Sequence, residues 1–243
     1  HGTNGEAIDD ESVLLRQVRV MKTMESQNRD WMEIAYSPTD ARRIILEGKL
    51  CVILGLESDV FGNFKSPDCV WGDRGEDRPL VSITEADAEV KLENKLNYYY
   101  GLGLRQILPL HYLNKPFGGT AAFNGNTFLP QMEFYNNVRV KTGVPDGIGF
   151  SLYEDFPTGP AFIGNFAGYS AYAARIQKQD EGAEISMVSA DGLTPVGNTL
   201  FHKLMKKGFI IDQEHASYES KRGIISIARA NGNYPVMASH CGP

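Results

Sequence analysis

The chain has 243 residues, enough for one large core or one barrel-type domain, and its 42% hydrophobic and 22% charged content is ordinary for a globular protein. A formal net charge of −6 and the lack of a long basic run argue against a nucleic-acid partner, which calls for a basic face. No stretch of about 18 uninterrupted apolar residues occurs, so no transmembrane helix is expected in this sequence, and the polar opening His1-Gly2-Thr3-Asn4-Gly5 lacks an apolar signal core.

In chain order, residues 11 to about 33 read as a helix, with Val13, Leu14, Val18 and Met21 on one apolar face. Ser37-Pro38-Thr39-Asp40 caps a second helix that stops at Gly48. Residues 50–56 form a nearly continuous apolar strand, of the kind buried on both faces in parallel sheets, and Glu57 stands at its exit. Residues 58–79 are rich in Gly, Asp, Asn and Pro and read as a long loop, a candidate lid on the same rim. Thr84-Glu85-Ala86-Asp87 resembles a capping box, opening a helix that ends near Gly101 or Gly103. The strand 104–110 follows and His111 ends it. Residues 112–191 read as a large insertion after that strand, with a short strand at Phe150-Ser151-Leu152-Tyr153 and a short helix over 169–179.

The last part of the chain reads helix, strand, His, helix, strand, His. Thr194-Pro195 starts a helix that Gly208 ends, and Phe209-Ile210-Ile211 is a strand leading to Asp212, Gln213, Glu214 and His215. Ser217 opens the next helix, Asn231-Gly232 closes it, and the strand 235–238 delivers Ser239 and His240. Four units therefore share one layout: Gly48 leads to Glu57, Gly103 to His111, Gly208 to His215 and Gly232 to His240, each through one apolar run. In parallel α/β architectures the carboxyl ends of strands are where ligands bind.

A lone histidine at a strand end is more often structural than a ligand. Three of the five histidines at such exits, with a carboxylate at the fourth, point instead to a metal or catalytic set, since N and O ligands on one open rim suit a zinc-type hydrolytic centre. An unpaired Glu57 behind seven apolar residues would carry a desolvation cost, so a cation or a basic partner such as Arg105 is expected beside it. Asp212 or Glu214 could orient the His215 ring, and strand alternation does not choose between them. His202 reads as a surface or packing residue. The three cysteines form no CxxC pair: Cys51 reads as core, Cys69 has no evident role, and Cys241 has no base spaced to activate it.

Gly55-Leu56-Glu57, Gly103-Leu104-Arg105, Leu108-Pro109-Leu110-His111 with Asn114, Gly192-Leu193-Thr194-Pro195-Val196-Gly197, Ile211-Asp212 with His215-Ala216-Ser217, and Pro235-Val236-Met237-Ala238-Ser239-His240 together resemble, in order, the membrane (renal-type) dipeptidases of the amidohydrolase superfamily. The resemblance implies a (β/α)8 TIM barrel with two zinc ions at its carboxyl-terminal mouth. By position, Glu57 would bridge both metals, His215 and His240 would bind one of them, and His111 would contact substrate and the developing oxyanion, with Asn114 also on the substrate side. The implied reaction is hydrolysis of a dipeptide or related small amide by a metal-bound hydroxide, and a homodimer would fit. The family's His-x-Asp pair does not precede Glu57, and its last-strand Asp and the Arg after the second metal His do not follow His240. The sequence is therefore expected to cover the middle of one barrel domain, about strands three to six, incomplete at both ends and unstable by itself. The competing expectations are a non-catalytic or degenerate barrel homologue, and a different amidohydrolase such as a lactonase or deacetylase.

Overall fold

The computed structural model describes residues 10–58, 60–67, 80–111, 116–120, 142–143, 188–189 and 191–240. In chain order the elements are α1 (Asp10–Gln27), β1 (Met32–Ile34), α2 (Pro38–Leu46), β2 (Leu50–Val52), β3 (Gly55–Glu57), a single 3-10 turn (Phe61–Asn63), β4 (Phe64–Lys65), β5 (Val81–Ser82), α3 (Glu85–Leu102), β6 (Gln106–Leu108), β7 (Thr142–Gly143), β8 (Val188–Ser189), α4 (Pro195–Lys207), β9 (Ile210–Asp212), α5 (Tyr218–Ala230) and β10 (Val236–Met237). None of these helices is long and apolar enough to cross a membrane.

Local chemistry sets the helix ends. Ser37 Oγ accepts the Asp40 amide at the start of α2, and the Thr84 amide donates to Asp87 Oδ1 at 2.8 Å in the expected capping box. Thr194 Oγ1 and Ser217 Oγ each accept the amide three residues on, at 3.0 Å, opening α4 and α5. Gly103 and Gly208 close α3 and α4 with φ of 102° and 81°, a region where side chains with a Cβ are strained.

The first helix is shorter than its apolar spacing predicts. It stops at Gln27, where the Asn28 side-chain amide donates to the Met24 carbonyl and the Asn28 carbonyl accepts the Met32 amide. Met32–Ile34 is then a strand, its outer residues buried and Glu33 half-buried. The apolar run over 50–56 is likewise not one strand. It divides because its first half pairs with β1 and its second half with β6.

The chain is mixed α/β around a parallel sheet. β3, β6, β9 and β10 lie side by side in sequence order, and β1 pairs in parallel with β2, just upstream of β3. Register aligns Leu56, Ile107, Ile211 and Val236 in one row. Leu56, Ile107 and Ile211 are buried in a core shared with Leu92 and Leu96 of α3, Leu200 and Leu204 of α4, and Ile224 of α5, and Val236 packs against it. Each fully buried Leu or Ile contributes about 1.5–3 kcal/mol of hydrophobic stabilisation. Burial on both faces is not found over 50–56, where Leu50 is 54% and Ile53 43% exposed, but it holds in β6 and β9, whose adjacent residues Ile107 and Leu108, and Ile211 and Asp212, are all buried.

The loop expected as a lid begins inside the core. Phe61 and Phe64 are buried and meet the Phe117 ring edge-on at 5.6 and 6.4 Å, while β4 and β5 form a short parallel ladder; residues 68–79 lie outside the described part. Of the insertion, β7 and β8 pair antiparallel, and 116–120 is fastened by bridges from Gly118 to Leu193 and Thr120 to Ala216. The strand and helix expected at Phe150–Tyr153 and 169–179 fall outside the described residues.

Candidate metal centre

Parallel strands put their carboxyl ends on one edge of the sheet, and that edge carries the ionisable side chains. Glu57 ends β3, His111 follows β6, His215 sits in the turn after β9, and His240 follows β10. The structure brings all four together. His111 Nε2 is 2.8 Å from Glu57 Oε1, and His215 Nε2 is 3.9 Å from the same oxygen and 2.8 Å from His240 Nε2. The His111 and His215 rings meet edge-on with centroids 4.4 Å apart. Asn114, Cys69 and Cys241 lie outside the described residues.

Two details depart from expectation. Glu57 is not desolvated, since 47% of its side chain is exposed at the strand exit. Nor is Arg105 its partner. That guanidinium lies at the opposite end of β6, donates to the Tyr36, Tyr100 and Leu104 carbonyls, and stacks 3.6 Å over the Tyr100 ring. The group beside the Glu57 carboxylate is the His111 imidazole.

His215 is held below the usual histidine pKa, first by burial and then by the neighbouring His111 and His240 rings, with Glu57 and Glu214 pulling the other way. Burial and the two neighbouring rings thus favour the neutral form of this imidazole, the form that binds metals. The 2.8 Å separation of the His215 and His240 Nε2 atoms is hydrogen-bond distance for a pair in which one nitrogen carries a proton and the other accepts it. His215 also has a φ of 57°, a conformation that glycine or asparagine usually takes, closing a turn in which the Ala216 amide donates to the Gln213 carbonyl. Such strain clusters at functional sites.

Surrounding groups fix these positions. Asp212 is buried and binds two backbone amides and the Gln106 side-chain amide rather than the His215 ring. Ser239 Oγ lies 2.5 Å from His240 Nδ1 and so holds the orientation of that ring. Asp10, at the start of α1, accepts from Ser58 Oγ at 2.7 Å and the Val60 amide at 2.9 Å, tethering the turn that follows Glu57. No local pattern in the sequence signals Asp10, because its partners lie far along the chain. His202 is exposed and meets the Asn231 amide, in keeping with a surface role. Cys51 is half-buried rather than part of the core.

Glu57, His215 and His240 place three ligand atoms within 4.8 Å of one another, close enough to hold one metal ion. One carboxylate oxygen and two imidazole nitrogens are a donor set that suits zinc and other borderline divalent ions. A cavity of about 490 Å³ opens beside this cluster between the start of α1 and the β3 exit, reaching Asp10, Val13, Gln17, Glu57 and His111. No protein-family model matches the chain, and no curated protein matches it significantly.

Proposed function

We propose that the chain carries a zinc-dependent hydrolase centre of renal-dipeptidase type, acting on dipeptides or related small amides. The observation that carries this reading is the convergence of Glu57, His215 and His240 within 4.8 Å, with His111 2.8 Å from the carboxylate. Glu57, His215 and His240 would hold the ion. When bound, zinc supplies Lewis-acid polarisation of a carbonyl and acidifies water toward neutral pH. Glu57 accepts a proton-bearing nitrogen of His111, and that imidazole can turn its N–H toward an oxyanion developing at the rim. The cavity beside Glu57 and His111 would receive the substrate.

A (β/α)8 barrel is supported by strands added in sequence order without reversal, the winding that closes a barrel rather than an open doubly wound sheet. Among the described residues the sheet β3-β6-β9-β10 presents four successive parallel positions, which would correspond to about barrel strands three to six, with the β1–β2 pair just upstream. A second zinc bridged by Glu57 rests on the resemblance alone.

The test is elemental analysis of the intact protein together with hydrolysis of a panel of dipeptides, lactones and N-acetylated amines, before and after chelation. At least one equivalent of zinc and chelator-sensitive dipeptide cleavage are expected. Less than one equivalent with no chelator-sensitive cleavage would overturn the reading, and zinc bound without turnover of any substrate would give the site to a non-catalytic homologue.

A further inference from the structure

Asp212 ends β9, is 1% exposed, and uses both carboxylate oxygens. Oδ2 accepts from the Gln106 side-chain amide at 2.9 Å. Oδ1 accepts two backbone amides, that of Glu214 at 3.2 Å and that of Ser239 at 3.3 Å. Glu214 directly precedes His215, and Ser239 directly precedes His240. One buried oxygen therefore grips the residue before each of the two histidines whose Nε2 atoms stand 2.8 Å apart. We infer that Asp212 is the positioning residue of the site, a clamp that sets His215 and His240 together as ligands; the inference rests on the metal-site reading above.

The placement explains why the clamp is needed. The β9–β10 ladder closes with the Gln213 amide on the Met237 carbonyl at 2.9 Å, and the histidines lie beyond it on separate turns. The His215 turn holds a non-glycine residue at positive φ, a conformation that persists only where surrounding contacts over-determine it. A carboxylate accepting the amide two residues on forms the Asx-type turn that does this, and the same oxygen reaches across to the neighbouring turn. Groups bonded directly to a ligating side chain typically change metal affinity about 10–100-fold when removed, and a clamp on the residue before each ligand is expected at the lower end of that range. Gln106 holds the carboxylate in turn, from the middle of the sheet.

The variants separate this role from general stabilisation. Asp212→Ala removes both contacts. Asp212→Ser keeps a short bond to the Glu214 amide but is too short to span to Ser239, so it should release His240 more than His215. Ser220→Ala is the control: Ser220 is fully buried, donates to the Gly119 carbonyl at 2.8 Å, and touches neither histidine. Zinc affinity is read by competition with a chromophoric chelator at a temperature where each variant is folded, and the imidazole nitrogens of the metal-free protein are read by NMR. Zinc affinity at least tenfold weaker in Asp212→Ala, unchanged in Ser220→Ala, with both ring signals moved before metal is added, is the expected result. Affinity equal to that of the unaltered protein, or an equal loss in Ser220→Ala, would overturn the inference. If Asp212→Ala does not fold, Asp212→Ser decides: a shifted His240 signal with weakened zinc binding supports the clamp, and wild-type values of both sink it. If the unaltered protein binds no zinc, the metal reading fails on its own. The NMR arm then decides the clamp, which is lost if Asp212→Ala leaves both rings unmoved.

Discussion

Gly197 and Gly101 should respond to alanine in opposite directions. Both are helical, and in a helix alanine over glycine is worth roughly 0.5–1 kcal/mol. At Gly101, near the end of α3, an added Cβ meets nothing within 4 Å, so that gain should appear, reduced by the nearby helix end. At Gly197, in the first turn of α4, the Cβ would lie 1.7 Å from the Phe117 carbonyl oxygen and 2.8 Å from its carbon. These are backbone atoms that cannot rotate away, so the 116–120 segment must retreat by about 1.5 Å to restore van der Waals contact. Retreat would lengthen the bond from the Thr194 amide to the Phe117 carbonyl and withdraw the Phe117 ring from Phe61 and Phe64. Overpacking of this kind costs about 1–3 kcal/mol and a disturbed hydrogen bond about 1 kcal/mol more, leaving a net loss of roughly 2 kcal/mol after the propensity gain. With a urea m-value of about 2 kcal/mol/M, the midpoint should fall by about 1 M for Gly197→Ala and rise by a few tenths for Gly101→Ala. A Gly197→Ala midpoint at or above that of the unaltered protein would refute the close packing of this segment on α4.

Arg105→Lys should lower stability by about 1–2 kcal/mol, because lysine cannot serve three carbonyls and stack on Tyr100 at once, while leaving zinc affinity unchanged; a loss of zinc affinity would show that Arg105 does serve Glu57. His215 binds its proton more weakly folded than unfolded, so its contribution to stability is complete above pH 6.5 and is lost as pH falls through the lowered folded value. Urea midpoints of metal-free protein should therefore decline below pH 6.5, and less steeply in His215→Asn; equal slopes would dismiss the effect. Asp10→Ala leaves Ser58 Oγ and the Val60 amide without their acceptor and should cost about 1–3 kcal/mol by thermal melt. An unchanged melt would show that Asp10 does not hold the turn after Glu57.

What the sequence displays is what nearby residues decide. Ser37, Thr84, Thr194 and Ser217 cap their helices because a cap bonds an amide three residues away, and Gly103 and Gly208 end theirs through their own φ. The four exits at Glu57, His111, His215 and His240 are legible because the same layout recurs, a glycine followed by an apolar run and then an ionisable residue. β1 escapes notice because three residues are too short a span to distinguish alternation from the end of a helical pattern. The division of 50–57 between two partner strands depends on neighbours distant in the chain. So does the exposure of Glu57, which is set by what surrounds the strand exit rather than by the apolar run before it. Asp10 reaches Ser58 and Val60, and Asp212 reaches Gln106 and Ser239 besides its local bond to the Glu214 amide, and nothing beside either residue in the sequence announces those distant contacts.

The central claim is that Glu57, His215 and His240 hold one ion, and anomalous diffraction at the zinc edge from crystals grown with zinc tests it most directly. A single strong peak about 2 Å from Glu57 Oε1 or Oε2 and from one nitrogen of each of His215 and His240 is predicted. Crystals that bind zinc only elsewhere, or that show these three side chains turned from one another with no peak between them, would contradict it.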